Sequence, residues 1–126
     1  MKKKIYFCFL LIMFFSLIAC QVYNFEERSI EVMDKFFQSL NNKDFKEAKK
    51  LTLNELHSLI NDIQKSNKKF KYENLKYTIE QSTNDYVVIK VFGQLNTFSK
   101  TENVNIQAIL VLDENREVKI HNFMDI

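Results

Sequence analysis

Two histidines, His57 and His121, and two cysteines, Cys8 and Cys20, are the side chains of this 126-residue chain with the strongest claim to metal or nucleophilic chemistry. Neither histidine has a cysteine or a second histidine at metal-ligand spacing, so no metal or other cofactor is expected. His57 falls opposite the apolar face of its helix and reads as solvated; His121 belongs to the last strand. No serine–histidine–acid order, phosphate loop or paired-carboxylate motif is visible. Asp34, Asp44, Tyr77 and Tyr86 could supply an acid or a hydrogen-bond donor. Packing and capping account for all four more simply, since tyrosines cover core edges and Asp44 stands where a helix needs an N-cap. The expectation is a protein without catalytic residues.

Cys20 is different, because its surroundings specify a reaction. Lys2 to Lys4 precede the apolar run Ile5 to Ala19, the order of a secretory signal. As a helix that run reaches about 22 Å, too little for a bilayer core of about 30 Å. Leu17-Ile18-Ala19-Cys20 resembles the lipobox of bacterial lipoprotein precursors. The resemblance implies that the signal, residues 1–19, is removed, that Cys20 receives a diacylglycerol, and that the new amino terminus is acylated. The protein would then be held at the cell envelope, in the outer membrane or at the cell surface, by its N-terminal lipid.

Composition limits what can hang from that anchor. What remains after the signal is enough for one small domain. The 18 Lys and Arg against 16 Asp and Glu include the three signal lysines, so the mature domain is near neutral and has no field suited to nucleic acid. With Cys8 removed and Cys20 consumed by lipid, no disulfide is available, and stability must come from burial. One glycine and no proline in the whole chain argue against disorder and against glycine- or proline-rich linkers.

The elements follow from periodicity. Residues 20–28 read as the lipidated cysteine and a short tether reaching at most roughly 28 Å, and residues 29–126 as the domain. Ile30, Met33, Phe36, Phe37 and Leu40 mark an amphipathic helix from about Glu27 to Asn41, stopped by Asn41-Asn42. A second helix begins at Asp44 and carries Phe45, Ala48 and Leu51. Thr52-Leu53-Asn54-Glu55 has capping-box spacing and would open a third, with Leu56, Leu59, Ile60 and Ile63 on one face. After Gln64 to Lys69 the period becomes two. Phe70 and Tyr72 alternate, the phase slips near Glu73-Asn74, and Leu75, Tyr77 and Ile79 resume it, as in a bulged strand. Tyr86 to Leu95 is apolar on both parities and reads as central, with Gly93 marking a bend or close approach. Val104 to Leu112 alternates, and a turn at Asp113 to Arg116 leads to a last strand. The fold class is therefore α+β: three N-terminal helices packed on a four-stranded antiparallel meander, Phe70–Gln81, Asp85–Asn96, Asn103–Leu112 and Glu117–Met124.

The stretch from Met33 to Ala48, and Ala108 to Asn115 followed by Val118-Lys119-Ile120, resemble the opening helices and closing hairpin of the nuclear transport factor 2-like (cystatin-like) superfamily. Val118 stands where that pattern has a tryptophan. The resemblance implies a curved sheet wrapped round the helices as a cone whose open end can hold a ligand. Phe36, Phe37, Phe45, Tyr77, Tyr86 and Phe92 are the candidate pocket lining. Two lysine clusters, Lys43 to Lys50 and Lys65 to Lys76, read as a solvated face, with anionic lipid or an acidic partner as the functional alternative. The expected role is a non-catalytic binding or interaction module, its partners a small apolar ligand or an envelope or host protein. The alternatives are a small enzyme built in the same cone, acting on an apolar ligand, or a purely structural envelope protein.

Overall fold

A computed structural model of the chain describes residues 24–125. Among them, helix α1 spans 24–41, α2 Phe45–Lys50, a 3-10 turn Asn54–Leu56 and α3 His57–Ser66. The strands follow: β1 Phe70–Ser82, β2 Tyr86–Thr97, β3 Thr101–Leu112 and β4 Val118–Asp125. They form one antiparallel sheet in the order β1-β2-β3-β4. Among the described residues no helix is long and apolar enough to cross a membrane. The signal and Cys20 lie outside the described residues.

Residues 24–28, expected in the tether, are already helical. Phe25, Ser29, Met33, Phe36, Phe37 and Leu40 form a buried stripe at helical spacing, which extends the domain toward its N-terminus. Ser29 is tolerated there because its hydroxyl donates to the Phe25 carbonyl at 2.7 Å. The helix stops where expected, although the left-handed residue is Lys43 (φ 57°) rather than an asparagine. The Asp44 amide bonds to the Ser39 carbonyl at 2.8 Å and the Lys43 amide to the Leu40 carbonyl at 3.1 Å, a Schellman ending. Asp44 then caps α2, accepting from the Glu47 amide at 3.2 Å.

The capping box expected at Thr52 does not form. Thr52 is buried and forms a parallel bridge to Ile120 of β4. The Leu53 amide donates to the Ile120 carbonyl at 3.0 Å, and the Ile120 amide to the Leu51 carbonyl at 2.9 Å. The hydroxyl meant for the cap donates to the Lys49 carbonyl at 3.1 Å instead. Pairing with the outermost strand supplies two backbone hydrogen bonds within the buried layer, where a capping box would supply two side-chain bonds at a helix end, and the pairing prevails. Leu59, expected on the apolar face of α3, is 44% exposed, while Leu56 and Ile60 are buried.

On the opposite side of the sheet, Asn41 makes the equivalent attachment. Its amide donates to the Tyr72 carbonyl at 2.9 Å and accepts from the Tyr72 backbone N–H at 2.7 Å. The helical layer is thus tied to β1 at one flank and β4 at the other. Between these ties Met33, Leu40, Ile60, Ile89, Leu110 and Ile120 are 2% exposed or less.

Two bulges shape β1, at Glu73/Lys76 and Ile79/Gln81. The first is the phase slip legible in the sequence, with Asn74 left-handed at φ 55°. Gly93 of β2 lies opposite it. A Cβ at position 93 would sit 2.5 Å from Leu75 Cδ2, 3.0 Å from the Glu73 carbonyl oxygen and 3.1 Å from Leu75 Cα. The chain's one glycine is therefore required by a close backbone approach.

Candidate functional site

The six aromatics expected to line one pocket divide between the two faces of the sheet. In β2 the side chains of Val87, Ile89 and Val91 point to the helices and are fully buried. Their neighbours Tyr86 and Phe92 therefore point to the outer face. There Lys90 Nζ lies 5.0 Å from the Phe92 ring centroid, and the Tyr86 hydroxyl accepts from Gln81 Nε2 at 2.9 Å. Phe36 and Phe37 are buried on the helical side, where half-buried Phe45 and Tyr77 also pack.

On the inner side the rings form a row. Phe36 stacks on Phe123 of β4 with centroids 5.4 Å apart and meets Phe37 edge-on at the same separation. Phe37 contacts Tyr72 of β1 at 4.8 Å, and Tyr72 contacts Phe70 at 5.9 Å. Consecutive phenylalanines on one helix thereby reach both outer strands. Each such contact contributes roughly 0.5–1.5 kcal/mol beyond burial. The row occupies the space in which a ligand between helices and sheet would sit.

Tyr77 is the inner aromatic with a polar partner. Its hydroxyl donates to Asp34 Oδ1 at 3.4 Å, and Asp34 Oδ2 accepts from Gln38 Nε2 at 3.0 Å. Burial first, and then the Asp34 carboxylate, push the Tyr77 hydroxyl well above the ordinary tyrosine range. It remains a hydrogen-bond donor at any physiological pH. Asp34 itself is exposed, so the pair fastens α1 to β1 at the margin of the core.

His57 is half-buried rather than solvated, with Nε2 2.9 Å from the Lys49 carbonyl. A carbonyl only accepts, so Nε2 carries the proton and donates. His121 is exposed at the β4 bulge, remote in sequence and role from His57. Among the described residues no group of three or more histidine, cysteine or carboxylate side chains is placed to share a metal.

Concavity occurs at the end where α1 begins. A groove of about 720 Å³ lies between residues 24–28 and the two turns that join β1 to β2 and β3 to β4. Arg28 Nη2 donates to the Arg116 carbonyl at 3.1 Å and ties the helix to the second turn. Asp113 holds that turn by accepting from the Asn115 and Glu117 amides at 2.8 and 2.9 Å. Thr83 Oγ1 holds the first turn by accepting from the Asp85 and Tyr86 amides at 3.2 and 3.1 Å. Arginines and carboxylates both face the groove, so it has no single-sign preference for a charged ligand. The sequence marked Asp113 to Arg116 as a turn; nothing in it signalled that this turn and Thr83–Asp85 converge on the start of α1.

No protein-family model matches the chain, and a comparison with curated proteins finds no match. Among solved structures, the solution structure of a SEC-C motif containing protein from Rhodopseudomonas palustris is similar over 75% of this chain and 76% of that one, at TM-score 0.63 and 8% identity. A crystal structure of an NTF2-like protein of unknown function from Cytophaga hutchinsonii is matched over 76% of this chain and 89% of that one, at TM-score 0.44 and 20% identity. The first likeness, at so low an identity, is a likeness of fold: helices preceding and packed upon an antiparallel four-stranded sheet.

Proposed function

We propose that this chain is a lipid-anchored envelope lipoprotein whose domain, of nuclear transport factor 2-like type, is a non-catalytic module that engages its partner through its outer surface. The observation that carries the reading is the aromatic row Phe123, Phe36, Phe37, Tyr72 and Phe70, which fills the inner space a bound apolar molecule would need. Of the six candidate lining residues, Phe36 and Phe37 are core, and Tyr86 and Phe92 lie on the other face. The Tyr77–Asp34 pair is consistent with this reading by position, since Asp34 is exposed and the pair joins α1 to β1 at the margin of the core and not within an enclosed space. The envelope location rests on the lipobox and on Cys20.

Native mass spectrometry of the protein extracted from its own envelope tests both parts. A mature chain starting at diacylated Cys20, with no retained small molecule, is the expected result. An unmodified Cys20 would overturn the anchoring. A retained apolar ligand would overturn the outer-surface role, and chemical conversion of any bound compound would overturn the non-catalytic one. Cys20→Ala should leave the precursor unprocessed or release the protein from membranes, because acyl chains contribute about 0.8 kcal/mol per buried methylene.

A further inference from the structure

The β2–β3 turn carries Phe98 at 97% exposure, far above the other exposed apolar side chains, Leu59, Phe92 and Met124. It is flanked by polar residues: the Thr97 amide donates to the Lys100 carbonyl at 2.9 Å, and the Thr97 hydroxyl to the same carbonyl at 3.0 Å. Both bonds close the turn tightly and leave the ring projecting. No described contact accounts for a phenylalanine at this position.

Lysines surround it. Phe70 pairs with Thr97, which brings the preceding Lys68 and Lys69 alongside the turn, and Lys71 pairs with Asn96. Lys71 lies 3.4 Å from Glu73, and Lys100 2.6 Å from Glu102. Lys68 and Lys69 are exposed, and among the described residues no carboxylate is within ion-pair distance of either. Part of the lysine cluster that the sequence presents as a solvated face is thus gathered around one unsheltered aromatic ring.

We infer that the Phe98 turn is a second membrane contact: the ring enters the head-group region of an anionic bilayer while Lys68 and Lys69 meet the lipid charge. An aromatic ring with a cationic fringe matches the two components of interfacial binding, apolar burial and attraction to anionic lipid. An acidic protein partner would have to supply a fitted pocket for the ring, whereas a bilayer accepts an isolated ring without one. The contact lies about 36 Å along β2 from the Thr83–Asp85 turn and the start of α1. Cys20, four residues before Asn24, reaches at most about 14 Å from it. Anchor and ring therefore hold opposite ends of the domain.

The chain has no tryptophan, so F98W in the full chain places a single indole at the turn. Its emission should move to shorter wavelength with vesicles containing phosphatidylglycerol and be quenched by brominated acyl chains, but not with phosphatidylcholine alone or at high salt. Adding K68Q and K69Q should lower the ratio of inserted to free indole about 30-fold, since each lysine near an anionic surface contributes about 1 kcal/mol. All three positions are exposed, and unchanged circular dichroism will verify folding. An indole that keeps its aqueous emission while the chain sediments with anionic vesicles would overturn the inference without touching N-terminal anchoring. So would insertion equal in neutral and anionic vesicles, or a spectral shift produced only by a purified acidic protein.

Discussion

Gly93→Ala should destabilise the domain, although the same change in an ordinary strand does the opposite. Replacing glycine with alanine usually gains about 0.5–1 kcal/mol by restricting the unfolded chain. At position 93 the new methyl group would meet three atoms of the β1 bulge. Leu75 Cδ2, at 2.5 Å, can move aside by rotation, but the Glu73 carbonyl oxygen at 3.0 Å and Leu75 Cα at 3.1 Å are backbone. Moving them means loosening the bulge between Glu73 and Lys76 or separating β1 from β2. Overpacking of this kind costs typically 1–3 kcal/mol, so the net loss should be about 1–2 kcal/mol. Urea unfolding should show a lower midpoint at unchanged slope. Deleting Asn74 restores an unbroken alternation of Tyr72, Glu73 and Leu75, and alanine at 93 should then cost less, a coupling readable in a double-mutant cycle. An alanine variant as stable as the parent or more so would refute the close-approach argument.

Asn41→Ala removes both hydrogen bonds to the Tyr72 backbone and should cost about 2 kcal/mol in chemical denaturation, with hydrogen exchange accelerated first at Tyr72. Lys43→Gly should raise stability by about 0.5–1 kcal/mol, because Lys43 holds the left-handed position of the Schellman ending where glycine has no Cβ penalty; an unchanged or lowered midpoint would contradict that geometry. The Tyr77 hydroxyl is held neutral in the folded state, so its stabilising contribution is complete below the ordinary tyrosine pKa of about 10 and is lost as pH rises beyond it. Unfolding midpoints should therefore fall on going from pH 9 to 11, and less steeply in Tyr77→Phe.

The sequence disclosed those features that reside in side-chain period. The slip at Glu73-Asn74 became a bulge because alternation is strictly two, and one extra residue must invert it. All four strands lie within two residues of their expected limits for the same reason. What was not legible depended on distant partners. Thr52 and Glu55 have the spacing of a cap, but Ile120, far along the chain, claims the backbone around Thr52. Phe25 fell in the expected tether because the next core position along the stripe is Ser29, and a serine there interrupts the apolar pattern until its hydroxyl bond to the Phe25 carbonyl is seen. The pocket expectation treated the aromatics as one set. Val87, Ile89 and Val91 are buried on one parity, and that alone sends Tyr86 and Phe92 to the other face. Phe98 left a trace, an isolated ring among Thr97, Ser99 and Lys100, which periodicity cannot register because a turn has none.

The ties from Asn41 to β1 and from Leu51–Leu53 to β4 also bear on how copies of the protein coexist. Sheet margins attract foreign strands when they offer a long, flat row of unpaired amides and carbonyls, the route to aggregation and to recognition by strand addition. Here β1 is interrupted by two bulges, fringed by Lys71 and Lys76 and occupied at Tyr72. The eight-residue β4 is bulged near His121 and occupied at Ile120. Under the proposed lipid anchoring, copies of the protein would be confined to two dimensions and would meet often. A domain with both margins blunted can be crowded without zipping to its neighbours, and whatever recognises it must read its side chains rather than its backbone.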